Sequence, residues 1–323
     1  MKKSHVFLLA IALWLTACAA PATEPPDALQ KIRLPMGYIP NIQYAPFYVA
    51  VEKGYFAEAG FEIEFDYSFE TVGVKSVGAG EVPFALVSGE EVLLARAQDI
   101  PVVYVTAWFQ QYPVAVVARA DSGIQGVADL SGKRVGLPGL FGANYIGLRA
   151  LLSQAGIPEA DLTLDSIGFN QVEALLAGQE DAIVGYFSNE PIQLRAQGLD
   201  VVEIRVADFV TLAANGIITN EAAIAENPEM VRAFVGAFLR GLADTLTNPE
   251  EAYTISLAYV EGLVADDPVQ MEVLIASIDF WRAETPGHAD PAAWENMQAL
   301  LLDMGLLAEP LDLDAAFTNE FIP

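Results

Sequence analysis

The chain reads as an α/β protein of two similar lobes with a helical C-terminal part. Three observations carry this. Between residues 31 and 198, strand-like apolar runs alternate with stretches of helical apolar spacing. The pattern then repeats itself: "AGEVPFALVS" (79–88) lies over "AGQEDAIVGY" (177–186), and "EAGF" matches "QAGI". The length is 323 residues, of which the folded part, roughly 300, is about where a single core stops growing.

The elements follow in order. "IRLPMGY" is strand-like, and "APFYVAVEKGYFAEAG" has helical apolar spacing that ends at Gly60. "FEIEFDYS" alternates with period two, the mark of a half-buried strand. "VGVKSVGAG" is helical, "PFALVS" a buried-type strand, "GEEVLLARAQ" a helix and "PVVYVTAW" a strand. In the second series "KRVGLPG", "LTLDSIG" and "DAIVGYF" are strands, and "NYIGLRALLSQAG", "QVEALLAG" and "EPIQLRAQG" are helices. Strands joined through helices imply a mostly parallel sheet. From Asn220 the chain is helical. Asn227-Pro228, Asn248-Pro249, Asp267-Pro268 and Asp290-Pro291 each set a capping residue before a proline at the first helical position. The expected division is residues 31–118 with 214–323 as lobe one and 119–213 as lobe two. A hinge is expected at two crossings, near "VVARADSG" and "LAANGIIT".

The first thirty residues stand apart from this fold. Lys2 and Lys3 precede "VFLLAIALWL", an apolar run too short to span a bilayer, so residues 1–17 read as a signal peptide. "LTAC" (15–18) resembles the lipobox of bacterial lipoproteins, in which the cysteine is acylated; an incidental cysteine in an ordinary signal peptide is the other reading. Cys18 is the sole cysteine, which excludes a disulfide within one chain. Acylated Cys18 would hold the protein to the extracytoplasmic face of the cell membrane, with the Pro-rich residues 18–30 as a tether. The net charge of −27 repels phosphate backbones and argues against nucleic-acid partners.

In their order and spacing, "GYIPNIQYAPFYVAVEKGYFAEAGFEIEF", "DLSGKRVGLPG" and "NPEMVRAFVGAFLRGLADTLTNPEEAY" resemble the solute-binding proteins of ABC importers. Within them the chain is similar to the branch that holds the thiamine-pyrimidine-precursor, riboflavin and sulfonate binders and the yeast pyrimidine synthase. The resemblance covers residues 31–320. It implies a hinged, two-lobed periplasmic-binding-protein fold of type II that closes on its solute, a monomer, with permease and ATPase partners and no cofactor.

In open α/β sheets ligands bind outside the carboxyl ends of strands, so residues that follow predicted strands are the candidates. These are Tyr38, Asn41, Gln43 and Tyr44; Ser88, Glu90 and Glu91; and Trp108, Gln110 and Tyr112. In lobe two they are Phe141, Gly142, Asn144 and Tyr145 of "LPGLFGANY", then Tyr186, Asn189 and Glu190, with Asn215 on the return crossing. The aromatics suit a flat ring and the amides its polar edge. In the pyrimidine-binding relatives an aromatic precedes a "PN" pair and a ring-contacting residue follows; here these are Tyr38, Pro40-Asn41 and Tyr44, where those relatives carry Trp and His. Phe47 and Tyr48 are read as helix core. "GLFGANY" resembles a glycine-rich anion-binding helix start, or holds glycines that merely allow tight packing. Glu190 is an acceptor for solute N–H or O–H groups, or a helix cap before Pro191. Trp281 faces the cleft mouth or packs in the core with Phe280.

Beyond residue 17 there is one histidine, His288, and it completes no catalytic triad or metal set, so no enzyme is expected. The synthase's Cys-rich run and active histidine are missing here. The candidate loops carry no Arg or Lys, which disfavours small anions. The resemblance and the tyrosines at 38 and 44 favour riboflavin, with a formylaminopyrimidine as the alternative and a sulfonate behind it. From a different class, the chain could be a lipid-anchored sensor subunit.

Overall fold

The computed structural model describes residues 29–323; the signal-peptide, Cys18 and tether readings lie outside the described residues, apart from the tether's last two. The first alternating run becomes β1 (Gln30–Gly37), parallel to β2 (Phe61–Phe69), with Ile32 opposite Ile63 and Leu34 opposite Phe65. Between them the helix expected up to Gly60 is interrupted at Lys53–Gly54 into α1 (Ala45–Glu52) and α2 (Tyr55–Glu58). Then come α3 (Glu70–Gly78), β3 (Ala85–Val87), α4 (Gly89–Arg96) and β4 (Val102–Ala107).

The chain now enters a five-stranded sheet through β5 (Val114–Arg119). It continues through β6 (Arg134–Leu137), α5 (Gly142–Ala155), β7 (Thr163–Ser166), α6 (Gln171–Leu176), β8 (Ala182–Tyr186), α7 (Glu190–Ala196) and β9 (Val201–Arg205). It returns as β10 (Gly216–Asn220).

The expected mostly parallel sheet is corrected to mixed sheets. The orders are β1-β2, β3-β10-β4 and β7-β6-β8-β5-β9. β6 is parallel to β7 and β8, whereas β5 is antiparallel to β8 and β9, and β10 antiparallel to β3 and β4. The reason is topological. Each strand that carries the chain from one body into the other enters its new sheet from the cleft end, opposite to the strands built there by βαβ units. Apolar runs specify a strand but not its direction. β5 pairs wholly within the five-stranded sheet, so the first crossing runs through 108–113, upstream of the boundary expected at 118. The second runs through 209–215, and β10 closes it within the span expected as a crossing.

The tail comprises α8 (Glu221–Glu226), α9 (Pro228–Thr247), α10 (Pro249–Ser256), α11 (Pro268–Trp281), α12 (Pro291–Asp303) and α13 (Leu313–Ala316). Asn227, Asn248, Asp267 and Asp290 cap α9, α10, α11 and α12 as their sequence signals predict, each accepting a backbone N–H of the first turn. α9 buries its apolar face against α1, where Phe47 stacks on Phe238 at 4.5 Å. Phe234 of α9 stacks on Phe84 at 3.9 Å and meets Phe56 and Phe61. Among the described residues no helix is long and apolar enough to cross a membrane. Because Phe234 fills a site walled by three rings, Phe234→Ala should destabilise the fold by about 3–5 kcal/mol, read as a lower urea midpoint.

Candidate functional site

The two crossings meet at one residue. The Asn215 carbonyl accepts the N–H groups of both Trp108 and Phe109 at 3.0 Å. Its side chain works in both directions. Oδ1 accepts from the Tyr186 hydroxyl at the end of β8 (2.9 Å), and Nδ2 donates to Glu70 Oε1 at the start of α3 (3.0 Å). Around this point a cleft opens between the two bodies, with an empty space of about 840 Å³ counted out to its open mouth.

Eleven of the residues singled out from the sequence line it: Tyr38, Gln43, Tyr44, Trp108, Phe141, Gly142, Asn144, Tyr186, Asn189, Glu190 and Asn215. Tyr44 stacks on Trp108 with centroids 5.3 Å apart and planes 25° apart. Its hydroxyl is spent on the Met36 carbonyl at 2.7 Å, so the ring is what it offers the cleft. Gln43 donates its amide N–H groups to Ser188 and Ser277, tying α11 and the β8–α7 turn to the first loop. Trp108 Nε1 and Asn144 Oδ1 are buried and have no hydrogen-bond partner in the protein.

Seven of the candidates sit elsewhere: Asn41, Ser88, Glu90, Glu91, Gln110, Tyr112 and Tyr145. Asn41 accepts from the Gln43 N–H at 2.9 Å and caps the short turn before α1. Ser88 and Glu91 lie buried behind the cleft wall. Tyr145 turns away to Glu159 and Arg149. Trp281 is wholly buried, 5.9 Å behind Trp108, in the core rather than at the mouth. Phe47 and Tyr48 are core, as read.

Sequence reasoning missed Phe69, Glu70 and Phe169. Glu70 opens α3 directly after β2, the one predicted strand of the first series whose following residues were passed over. Gly37 admits it. That glycine has φ +85°, and a Cβ there would lie 2.7 Å from Glu70 Cγ. At the mouth, Tyr38 meets Phe169 edge-on at 4.6 Å, and Phe69 meets Phe141 at 5.6 Å and Phe169 at 5.5 Å. Each of these pairs joins one body to the other.

The electrostatics are one-sided. Among the described residues no Lys, Arg or His lines the cleft, while Glu70 and Glu190 do. Burial pushes the Glu190 carboxyl up to about 7, against the hydrogen bonds it accepts from Tyr186 N–H (2.7 Å) and Asn189 (3.1 Å). Behind the wall, burial and then the neighbouring Glu70 push Glu91 up to about 7, against Lys75. Glu90, fully buried, is raised well above the carboxylate range by burial, then by Glu70 and Glu91. The site offers stacking faces and acceptors. It offers no cation and, among the described residues, no metal cluster.

Two bodies, one built on the β1-β2 and β3-β10-β4 sheets and the other on the five-stranded sheet, joined by two crossings around such a cleft define a periplasmic-binding-protein fold of type II. The solved structure of the alkanesulfonate-binding protein SsuA from Xanthomonas axonopodis pv. citri bound to MOPS shares it, with a TM-score of 0.70 at 16% identity over 90% of this chain and 98% of that one. Within this class the chain belongs to the NMT1/THI5-like family, which matches residues 41–252. It is 43% identical to the riboflavin-binding protein RibY of Chloroflexus aurantiacus, over all of this chain and 99% of that protein. It is 29% identical to a formylaminopyrimidine-binding protein of Halalkalibacterium halodurans, over 99% of each.

The raised carboxyls fix a pH dependence. A carboxyl whose folded-state value exceeds its unfolded one binds more protons in the fold. The stability this confers is full below the unfolded range and is lost as pH rises through the folded value. The urea midpoint should therefore fall between about pH 5 and pH 8. Glu190→Gln should flatten that fall by its own share.

Proposed function

We propose that the protein is the solute-binding subunit of an ABC importer and that its solute is riboflavin. The observation that carries this is the cation-free cleft walled by aromatic rings and floored by hydrogen-bonding groups. A small anion would enter it unpaired, beside carboxylates, at a cost no contact there offsets. A neutral flat heterocycle finds ring faces at Tyr44 and Trp108, and acceptors for its N–H and hydroxyl groups at Glu70 and Glu190. Full-length similarity to a riboflavin-binding protein supports the same solute. The protein binds and hands on, a role that its similarity to binding proteins supports.

Residues 30–107 with 216–323 form one lobe in this reading, 114–208 the other, and the two crossings the hinge. Closure on the solute presents the closed form to the permease and its ATPase. Acylation of Cys18 keeps the monomer at the extracytoplasmic face of the membrane.

Titrated with riboflavin, the full chain should quench flavin fluorescence saturably and gain thermal stability. Riboflavin 5′-phosphate should bind at least about a hundredfold more weakly, the order expected for a charge buried without a partner. Trp108→Leu should weaken riboflavin binding by roughly 3–10-fold through loss of its ring face. Silence toward riboflavin with stabilisation by a formylaminopyrimidine would move the solute to thiamine salvage. Riboflavin uptake unchanged by deletion of the permease would replace the transport role with that of a lipid-anchored sensor.

A further inference from the structure

The cleft acceptor Glu70 is the end of a buried chain that the binding site does not by itself explain. Glu70 Oε2 accepts from both the N–H (3.0 Å) and the hydroxyl (2.7 Å) of Ser88. Oε1 accepts from Asn215. Ser88 Oγ is also in short contact with Glu90 Oε1. The far oxygen of Glu90 faces the Tyr112 hydroxyl at 3.4 Å, and that hydroxyl donates to the Ala143 carbonyl of α5 at 3.0 Å.

Counting protons decides the state of this chain. A serine hydroxyl has one hydrogen and cannot donate to two carboxylates. Leaving that hydroxyl aside, Glu70 still receives two donors, the Ser88 N–H and Asn215 Nδ2, which favour its ionised form against the burial that raises it. The Ser88 hydrogen therefore goes to Glu70, and the contact between Ser88 and Glu90 needs a proton on Glu90. No cation compensates a charge there. The groups around Glu90 are Glu70 from α3, Glu91 from its own helix, Tyr104 from β4, Tyr112 from the first crossing and Tyr186 from β8, with Lys75 of α3 set against Glu91. Burial and the neighbouring carboxyls raise Glu90 in agreement with this count.

We propose that Glu90 is a neutral carboxylic acid at working pH and a positioning residue: its proton, relayed through Ser88, holds Glu70 ionised and oriented as the cleft's acceptor for a solute N–H or hydroxyl. The inference rests on the solute-binding reading above, and it adds which acceptor selects and what keeps it in place. A solute that presents a donor at that point is taken, and one that presents an acceptor there meets a carboxylate lone pair and is rejected. Ionisation of Glu90 would set two carboxylates against one hydroxyl and release Glu70 from its orientation.

The test uses the full chain with riboflavin as the probe, and two readouts. The first needs no solute. At about pH 8.5, above the range in which Glu91 and Glu190 titrate, infrared difference spectra of wild type against Glu90→Gln should show the carbonyl stretch of one protonated carboxylic acid, lost in the variant. No such band overturns the proposal. The second is affinity. Glu70→Gln should weaken riboflavin binding by about tenfold or more, and Glu90→Ala by a similar factor. Glu90→Gln still donates an N–H to Ser88, and should recover most of what Glu90→Ala loses. Wild-type affinity should fall toward alkaline pH over a range in which Glu90→Gln stays flat. A Glu90→Gln as weak as Glu90→Ala, or a Glu70→Gln that binds like wild type, overturns it. Should wild type ignore riboflavin while the infrared band is present and lost in Glu90→Gln, the choice of solute fails and the proton on Glu90 stands.

Discussion

The architecture turns on the hydrogen bonds that gather at Asn215. A two-lobed chain that crosses twice between its bodies must keep those crossings in register, or the two cleft walls drift independently. Here one carbonyl takes two N–H groups from the other crossing, and one amide side chain reaches Tyr186 on one body and Glu70 on the other. Asparagine is suited to this because its side chain carries a donor and an acceptor on one rigid plane. Aspartate could accept from Tyr186 but would face Glu70 with a second negative charge. The cleft floor and the joint between the bodies are thus the same set of atoms, and a solute that touches the floor touches the joint.

The second constraint is charge. The chain carries 43 acidic side chains against 16 basic ones, and most of that excess is solvated surface. Glu70, Glu90, Glu91 and Glu190 differ, because they sit in or behind the cleft where ionisation is costly. They persist by three means: donors converging on Glu70 and Glu190, a shared hydroxyl between Glu70 and Glu90, and a proton retained where donors run short. The unpartnered Trp108 Nε1 and Asn144 Oδ1 belong to the same account. A buried polar atom with no partner costs about 1–3 kcal/mol, a cost the fold carries here as it does at Trp281 Nε1 in the core.

Much of this was legible in the residues themselves. The N-caps of the tail announce their helices because the capping geometry is local, and four Asx-Pro pairs suffice. The loop after β1 announces the site through Tyr38, Gln43 and Tyr44, which reach the cleft, while Asn41 caps a turn and Tyr48 packs in the core. Direction and reach were not legible. Nothing in "VAVVAR" or "GIITN" says that these strands enter their sheets antiparallel, since apolar content is the same either way. Tyr145 was read into the cleft with its neighbour Asn144, yet successive residues on a helix point about 100° apart, and Tyr145 goes to Glu159. Glu70 hid for the opposite reason: it follows a strand whose alternation ended in what read as an ordinary helix start, and only the turn at Gly37 brings it inward.

The mouth of the cleft shows how the bodies are held before any solute contributes. Tyr38, Phe69, Phe141 and Phe169 form edge-on and tilted ring contacts from one body to the other. Phe69 and Phe141 remain nearly half exposed. Such pairs are each worth about 0.5–1.5 kcal/mol beyond their buried area, so three amount to a few kcal/mol at most. That is the size of the gap between open and closed states at which a minor state stays populated and a solute can shift the balance. A larger apolar seam would lock the cleft shut against entry. A polar mouth would leave closure to the solute alone. Rings that touch at their edges while staying wet keep the closed form within reach, and leave the floor groups around Asn215 to decide which molecule completes it.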